Sequence, residues 1–193
     1  MGVRGGLRWA FLWYGDGMPK SIPKKAYAGP IPPCGPITLE PIGQVCSPHL
    51  ERHGTPHQAV IPAQPQHRAA EEAVIELFTD RVPATALQDL DGFDYVWVLA
   101  FLHLNQGFRP LLAPPRDREH KRGLFATRAP HRPNPLGLSA ARILRVEGPR
   151  VYLERLDLLN GTPVLDLKPY VPYADAFPDA AAGWLENLER PVP

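Results

Sequence analysis

Proline is the residue type that most restricts how this chain can fold. The sequence contains 25 prolines among its 193 residues, well above the usual share of roughly 5%. Proline fixes φ and lacks a backbone N–H, so it interrupts helices and is excluded from the interior of sheets. The composition therefore disfavours long helices and favours many short strands joined by rigid turns.

Short apolar segments predict these strands. The clearest is residues 93–103, whose centre Tyr95–Phe101 is almost continuously apolar, as expected of a strand with both faces covered. Further strands are predicted at residues 39–45, 73–78, 138–146, 151–156 and 163–167. Residues 83–90 indicate a short helix or turn, and residues 180–188 a late helix. Many closely spaced strands with few helices favour a barrel or closed sheet, so we expect a mainly β fold with a few short helices.

The chain is long enough for one domain with a substantial core. Residues 1–38 are rich in Gly, Pro and Lys and lack hydrophobic periodicity, which predicts an irregular N-terminal arm. Residues 39–175 are the predicted β-barrel domain. Residues 176–193 are predicted to form a C-terminal helix or tail.

The net charge of +1 does not by itself indicate a nucleic-acid partner, but the charges are unevenly distributed. Residues 109–132 contain seven Arg or Lys and two acidic residues, whereas residues 147–193 contain four and eight. An RNA-binding face would therefore be local to the middle of the chain. The alternative is a solvated mixed-charge loop. The candidate RNA contacts are Arg118, Lys121, Arg122 and Arg132.

The two cysteines, Cys34 and Cys46, have no spacing typical of a metal site or of a disulfide framework. They favour a reducing compartment, and we expect a cytoplasmic protein without structural metal. No apolar run approaches the roughly 20 residues that a membrane-spanning helix needs, so no membrane partner is expected.

The most distinctive segment is residues 123–139, with the sequence GLFATRAPHRPNPLGLS. Arg128, Arg132 and Asn134 are displayed on a backbone stiffened by three prolines. A rigid loop of this kind suits the binding of a carboxylate or phosphate, because the guanidinium donates in a fixed fork. The alternative is a proline-rich surface connection with solvated arginines.

This segment resembles the signature of the TsaA/TrmO family of tRNA methyltransferases. Three further segments resemble motifs of that family and follow them in the same order. They are residues 41–48 (PIGQVCSP), 54–58 (GTPHQ) and 157–170 (DLLNGTPVLDLKPY). The resemblance covers residues 39–175 and implies a β-barrel that uses S-adenosylmethionine as methyl donor. As substrate it implies N6 of the threonylcarbamoyl-modified adenosine at tRNA position 37, next to the anticodon.

The resemblance also implies where the cofactor binds. The matching positions are Pro56, His57, Gln58, His103, Leu104, Arg128, Leu138, Asn160, Gly161, Thr162 and Pro163. Asn134 joins this set because its amide, like that of Gln58, can donate and accept hydrogen bonds. Taken alone, His103 fits a strand-end histidine with a structural role better than it fits a catalytic residue.

Three positions depart from the family pattern. His57 stands where the family usually has Arg, and Leu104 where bacterial relatives often have Gln. Asn160 replaces the usual Asp, which removes a charge and leaves any acid–base role at that position open.

Asp166, Lys168 and Tyr170 are the candidate catalytic residues. In a strand, residues i, i+2 and i+4 share a face, so all three can line one wall. Asp166 can accept a proton from N6, Lys168 can bind a phosphate or carboxylate, and Tyr170 can stack on an unpaired base. The alternative is a strand-end salt bridge with a packed tyrosine.

Two other functions stay open at this point: a non-catalytic regulator that binds S-adenosylmethionine or RNA, and methyl transfer to another acceptor. Bacterial relatives often carry a further C-terminal domain, whereas this chain stops soon after Trp184. We therefore expect a homodimer that binds tRNA.

Overall fold

A computed structural model of the chain describes residues 35–51, 72–186 and 188. Residues 39–193 form one unit and residues 1–38 another. The predicted N-terminal arm lies outside the described residues, apart from residues 35–38, which are neither helical nor extended in a strand.

The strands of this unit, within the described residues, form a closed antiparallel barrel and a small ribbon. In chain order they are β1 (Gly43–Cys46), β2 (Glu72–Leu77), β3 (Tyr95–Phe101), β4 (Leu111–Leu112), β5 (Arg122–Gly123), β6 (Leu136–Glu147), β7 (Arg150–Glu154) and β8 (Pro163–Pro169). The barrel order is β1-β2-β7-β6-β3-β8, and β1 pairs back onto β8 to close it. β4 and β5 pair only with each other. The predicted closed, mainly β architecture is confirmed.

The barrel interior is filled by aliphatic side chains from alternate positions of each strand, as the two-residue period of a strand requires. Val96, Val98 and Ala100 of β3 are completely buried. Their counterparts on other strands include Val45, Ile75, Val151, Leu153 and Val164. Burial of each such side chain contributes about 1.5–3 kcal/mol, so this interior is the main source of stability.

The prediction that both faces of β3 are covered is only partly correct. The outward residues Tyr95, Trp97 and Leu99 are half-buried, and Phe101 is exposed. The partial cover on this face includes Tyr170, whose ring centre lies 5.5 Å from that of Trp97. The apolar outer face of β3 is therefore covered in part by the packing of aromatic rings on the outer wall.

The helices are short, as the proline content predicts. Single turns of 3-10 helix lie at Ala84–Leu87, Leu90–Gly92, Leu124–Ala126 and Gly183–Leu185, and one four-residue helix, α1, spans Pro172–Asp175. The late helix predicted at 180–188 is reduced to the turn at Gly183–Leu185 in the described residues. Gly183 has a φ of +60°, a left-handed conformation that does not continue a right-handed helix. None of the helices in the described ranges is long and apolar enough to cross a membrane.

The register defines two ends of the barrel. One, here called the upper end, collects the last residues of β1, β3 and β7 and the first residues of β2, β6 and β8. Phe101 pairs with Leu136 there, Gln44 with Pro163, and Glu72 with Glu154. Every connection that enters or leaves the barrel at the upper end can contribute to one common surface.

Candidate active site at the upper end of the barrel

The upper end brings together most of the predicted cofactor-binding segments. His103 and Leu104 follow β3, the loop with Arg128 and Asn134 precedes β6, and Asn160–Thr162 precede β8. Leu138 is the third residue of β6 and lies opposite Leu99 of β3. Pro56, His57 and Gln58 lie outside the described residues, on the chain between β1 and β2. In the described residues, the two ends of the β3–β6 connection and the end of the β7–β8 connection thus lie at one end of the barrel.

The turn before β8 is held to the end of β1 by backbone hydrogen bonds. Gly161 N donates to Val45 O (2.7 Å), Val45 N donates to Thr162 O (2.9 Å), and Asn160 N donates to His49 O (2.8 Å). Gly161 has a φ of +75°, which glycine adopts without steric cost. Thr162 is buried and Pro163 begins β8, so the turn is a rigid part of the barrel rim.

The side chain of Asn160 has a structural partner. Its Oδ1 accepts from the backbone N–H of Ser47 (3.1 Å), and Ser47 Oγ in turn donates to Leu158 O (2.9 Å). An amide oxygen performs this role as well as a carboxylate oxygen does. The Asn160 side chain therefore links the turn to the end of β1.

Ser139 and Asp157 form a half-buried polar pair at the same end. Ser139 is only 7% exposed and its hydroxyl donates to Asp157 Oδ1 in a short hydrogen bond. Removal from solvent raises the pKa of the Asp157 carboxyl, and the Ser139 hydrogen bond and the charges of Arg128 and His49 oppose that rise. A carboxyl with a raised pKa next to exposed cations is typical of functional sites.

Arg128 is carried on a loop, residues 124–132, here called the Arg128 loop. Its backbone is fixed on both sides of Arg128. Arg132 Nη1 donates to the carbonyl oxygens of Thr127 (3.1 Å) and Ala129 (3.4 Å). Thr127 Oγ1 donates to Leu124 O (2.8 Å) and accepts from Ala129 N (3.3 Å). The Arg128 side chain itself is exposed at the upper end. This geometry agrees with a rigid loop that presents one arginine.

The four predicted RNA contacts separate into two groups. Arg118 and Lys121 are exposed. Arg122 Nη2 instead binds Asp117 Oδ2 (2.6 Å), and Arg132 supports the Arg128 loop. The partners Arg122 and His120 lower the pKa of Asp117 to about 2, so Asp117 stays charged and Arg122 stays paired at any ordinary pH.

Asp166, Lys168 and Tyr170 share one face of β8, as predicted, but this face is the outer wall of the barrel. Asp166 lies opposite Leu99 and Lys168 opposite Trp97, and a β-bulge between the Leu99 and Ala100 positions sets this orientation. Lys168 Nζ lies 2.7 Å from Asp166 Oδ2, and Tyr170 packs on Trp97 and Tyr95. Tyr170 lies at the lower end, away from the Arg128 loop. This arrangement matches the alternative of a salt bridge with a packed tyrosine.

The remaining predicted residues lie at the rim. His103 is exposed, and its backbone N–H donates to Phe101 O (2.8 Å). Asn134 is also exposed. Leu104 is 66% and Leu138 60% exposed, and Leu138 lies opposite Leu99 on the outer face of the barrel wall. In the ranges that the structure describes, no group of three or more His, Cys, Asp or Glu side chains is arranged to hold a metal ion.

A family model described as the tRNA-methyltransferase O N-terminal domain matches residues 44–176. The chain belongs to this family. The match includes every strand of the barrel apart from the first residue of β1, and it spans all the segments that meet at the upper end.

Relatives and solved structures agree with this assignment. A protein of Pseudomonas aeruginosa named putative S-adenosylmethionine-dependent methyltransferase RcsF is 42% identical over 146 residues, which are 74% of this chain and 58% of that protein. The tRNA (adenine(37)-N6)-methyltransferase of Escherichia coli is 35% identical over 77% of this chain and 64% of its own length. The crystal structure of TrmO from Pseudomonas aeruginosa matches with a TM-score of 0.64 and 35% identity, and covers 81% of this chain and 66% of that one.

This family member spans only part of the first such relatives. It covers 58% of the Pseudomonas protein and 32% of the tRNA (adenine(37)-N6)-methyltransferase of Rattus norvegicus, to which it is 40% identical. The comparisons therefore establish the family and the barrel of this chain.

Asp157 and Ser139 were not among the candidate site residues, although both lie in segments that resemble family motifs. Each sits at the end of its segment, and nothing in the sequence indicates that the two meet. The pairing arises because the chain that leaves β7 runs beside the part of β6 that extends beyond it. The position of Asp157 within the apolar run of residues 156–159 is the sequence signal that points to a half-buried carboxyl.

The raised pKa of Asp157 predicts a stability effect with a defined sign. The folded carboxyl holds its proton more tightly than the unfolded one, so the free energy of unfolding falls as pH rises above the ordinary aspartate value of 3.8. Asp157→Asn keeps an acceptor for Ser139 and removes the buried charge. We expect a higher melting temperature for this variant at pH 7, with the gain shrinking as pH falls towards 3.8. Exposed Asp179→Asn is the control, and a variant less stable than the parent at pH 7 would contradict the assignment.

Proposed function

We propose that this protein is an S-adenosylmethionine-dependent methyltransferase that acts on N6 of the adenosine at tRNA position 37, in its threonylcarbamoyl-modified form. The observation that carries the proposal is the meeting at the upper end of a rigid arginine loop, a half-buried carboxyl and a hydrogen-bonded glycine turn, on a barrel of this family. The names of the relatives support the same reaction, and the modified substrate comes from the family resemblance.

The residues at the upper end fit the chemistry of this cofactor. When bound, S-adenosylmethionine supplies an activated methyl group for in-line transfer. The exposed guanidinium of Arg128 suits a carboxylate, because a planar fork can donate two parallel hydrogen bonds. Leu104 and Leu138 offer apolar surface for an adenine ring, and the backbone carbonyl oxygens of Asn160 and Gly161 can accept from its amino group. Gln58 and His57 on the β1–β2 connection, together with His103 and Asn134, complete the proposed set.

The protein's main task in this reaction is to position the reactants and exclude water. Holding two reactants in line supplies roughly 7–11 kcal/mol in well-oriented systems. An exocyclic amine also has to lose a proton, so a nearby acceptor assists the transfer.

Two carboxylates are candidates for that acceptor, Asp157 and Asp166. Asp157 lies at the upper end, with one oxygen held by Ser139 and a pKa raised by burial, which makes it a stronger base than an ordinary aspartate. Asp166 is neutralised by Lys168 on the outer wall. We assign proton acceptance to Asp157, and we propose that Asp166, Lys168 and Tyr170 stabilise β8 and its outer face.

The proposed partners are a tRNA and a second copy of the chain. The exposed Arg118 and Lys121 lie on the connection between β4 and β5 and can reach phosphates. Large apolar side chains, including Phe108 and Phe125, are exposed on the connection between β3 and β6. This exposed apolar surface supports association of two copies. Light scattering on the purified protein tests the dimer, and a cytoplasmic location accords with a tRNA substrate.

A regulator that binds the cofactor without catalysis is the rival function. Its support was the loss of a carboxylate at Asn160. The hydrogen bond from Ser47 to Asn160 Oδ1 weakens this support, because the position has a structural role that an amide fulfils.

The proposed activity predicts a specific product. Single-turnover incubation with methyl-labelled cofactor should label threonylcarbamoyl-modified tRNA, and nucleoside analysis should find the label on N6 of that adenosine. Matched tRNA without the modification is the control. Label on another nucleoside would contradict the substrate, and tight cofactor binding without transfer would favour the regulator.

The choice of proton acceptor predicts different effects for two variants. Asp157→Asn should lower the single-turnover rate by roughly 10²-fold, the usual contribution of a positioned general base, with little change in cofactor affinity. Asp166→Asn should lose some thermal stability and keep its rate. The reverse pattern, measured on the same preparations, would return the catalytic role to Asp166.

The basic connection between β4 and β5 predicts salt-dependent tRNA binding. Replacing Arg118 and Lys121 by Ala should flatten the slope of log affinity against log salt, by roughly 0.7 for each lost contact with single-stranded RNA. Glu119→Gln between them is the control and should not flatten it. An unchanged slope in the double variant would show that these side chains do not contact the RNA.

A further inference from the structure

The chain that follows the barrel returns to the upper end. Residues 171–186, here called the C-terminal strap, begin at the lower end after β8. Their first anchor is Asp175, whose Oδ2 accepts from Trp97 Nε1 (3.0 Å) on the outer wall and from Val171 N (2.8 Å). The strap is thereby fixed to β3 before it continues to the loops.

The second anchor is Trp184, and it contacts the Arg128 loop directly. Its Nε1 donates to Ala126 O (2.8 Å), two residues before Arg128. The guanidinium of Arg122 lies 5.2 Å from the centre of the Trp184 ring and is held there by Asp117. Cation–π contacts of this kind add to the hydrogen bond. The Trp184 side chain is half-buried at the contact between the strap and the Arg128 loop.

The Arg128 loop is therefore supported from two directions. Arg132 holds the carbonyl groups on either side of Arg128 from within the loop. Trp184 holds the preceding turn from a different part of the chain. The base of that turn is anchored by Leu124, which is buried and whose N–H donates to Pro110 O (2.9 Å). Removing Trp184 would leave the loop attached at its base, but the Ala126 carbonyl oxygen would lose the hydrogen bond from Trp184 Nε1.

We propose that Trp184 is a positioning residue that holds the Arg128 loop in the conformation that binds the cofactor carboxylate. This inference rests on the proposed function, in which Arg128 binds the cofactor. It gives the C-terminal strap a role in the site through its contact with the loop.

The test compares Trp184→Ala and Trp184→Phe in the full chain. The Phe variant keeps a ring for Arg122 and loses the N–H donor. Tyr173→Ala is the control on the same strap, because this side chain is 93% exposed. Hydrogen exchange of residues 124–132 without cofactor measures the loop itself, and calorimetric titration measures cofactor affinity. We expect faster exchange and an affinity loss of about 10-fold for the Ala variant and about 3-fold for the Phe variant.

A double-mutant cycle with Arg128→Ala separates the two levels of the proposal. Arg128→Ala alone should cost about 10- to 150-fold in affinity, the range for a charge-assisted hydrogen bond. Adding Trp184→Ala should then cost little more, because the loop acts through Arg128. If Arg128→Ala leaves affinity unchanged, the proposed cofactor arrangement is wrong, and the inference falls with it. If Arg128→Ala weakens binding but Trp184→Ala leaves exchange or affinity unchanged, the positioning role alone is overturned.

Discussion

Closure of the barrel between β1 and β8 is the constraint on which the rest of the structure depends. The ladder between them is short, with Gly43 opposite Val164 and Gln44 opposite Pro163. It is extended at both ends by the backbone hydrogen bonds of Ile42, Val45 and Gly161. The same contacts that close the barrel therefore fix the Asn160–Thr162 turn at its rim. A barrel without this closure would lose both the edge protection of its sheet and the wall of its site.

Much of the fold could be predicted from the sequence because local patterns determine it. The apolar run around Val96 and Val98 and the proline content indicate many short strands, and the structure agrees. The first strand begins later than predicted because Pro41 has no N–H, and the pairing with β8 starts only at Ile42. The late helix failed for a local reason too, since Gly183 adopts a left-handed conformation. The propensity of the residues around it could not reveal that choice.

The site was harder to predict because its geometry is made by contacts between distant segments. A resemblance of motifs could bring Arg128 and Asn160 into consideration. It could not show that Arg132 supports the loop that carries Arg128, that Ser139 meets Asp157, or that Trp184 reaches Ala126 from 58 residues further along the chain. Charge alone could not distinguish Arg122 and Arg132, which bind a carboxylate and backbone carbonyls, from the exposed Arg118, because all three have the same sequence signature.

The bulge in β8 determines which residues of that strand face the barrel core and which face outwards. Val164 and Leu167 both pack into the barrel core, although residues three apart point to opposite sides of a regular strand. The extra residue at Leu165 makes this possible and turns Asp166 and Lys168 to the outside. In a strand without it, the same sequence would place a carboxylate beside Val164 in an apolar interior, at a large desolvation cost. The residue order of β8 is thus compatible with this barrel only because the strand contains the bulge. Homologous strands in which the two core residues are two positions apart should have no bulge.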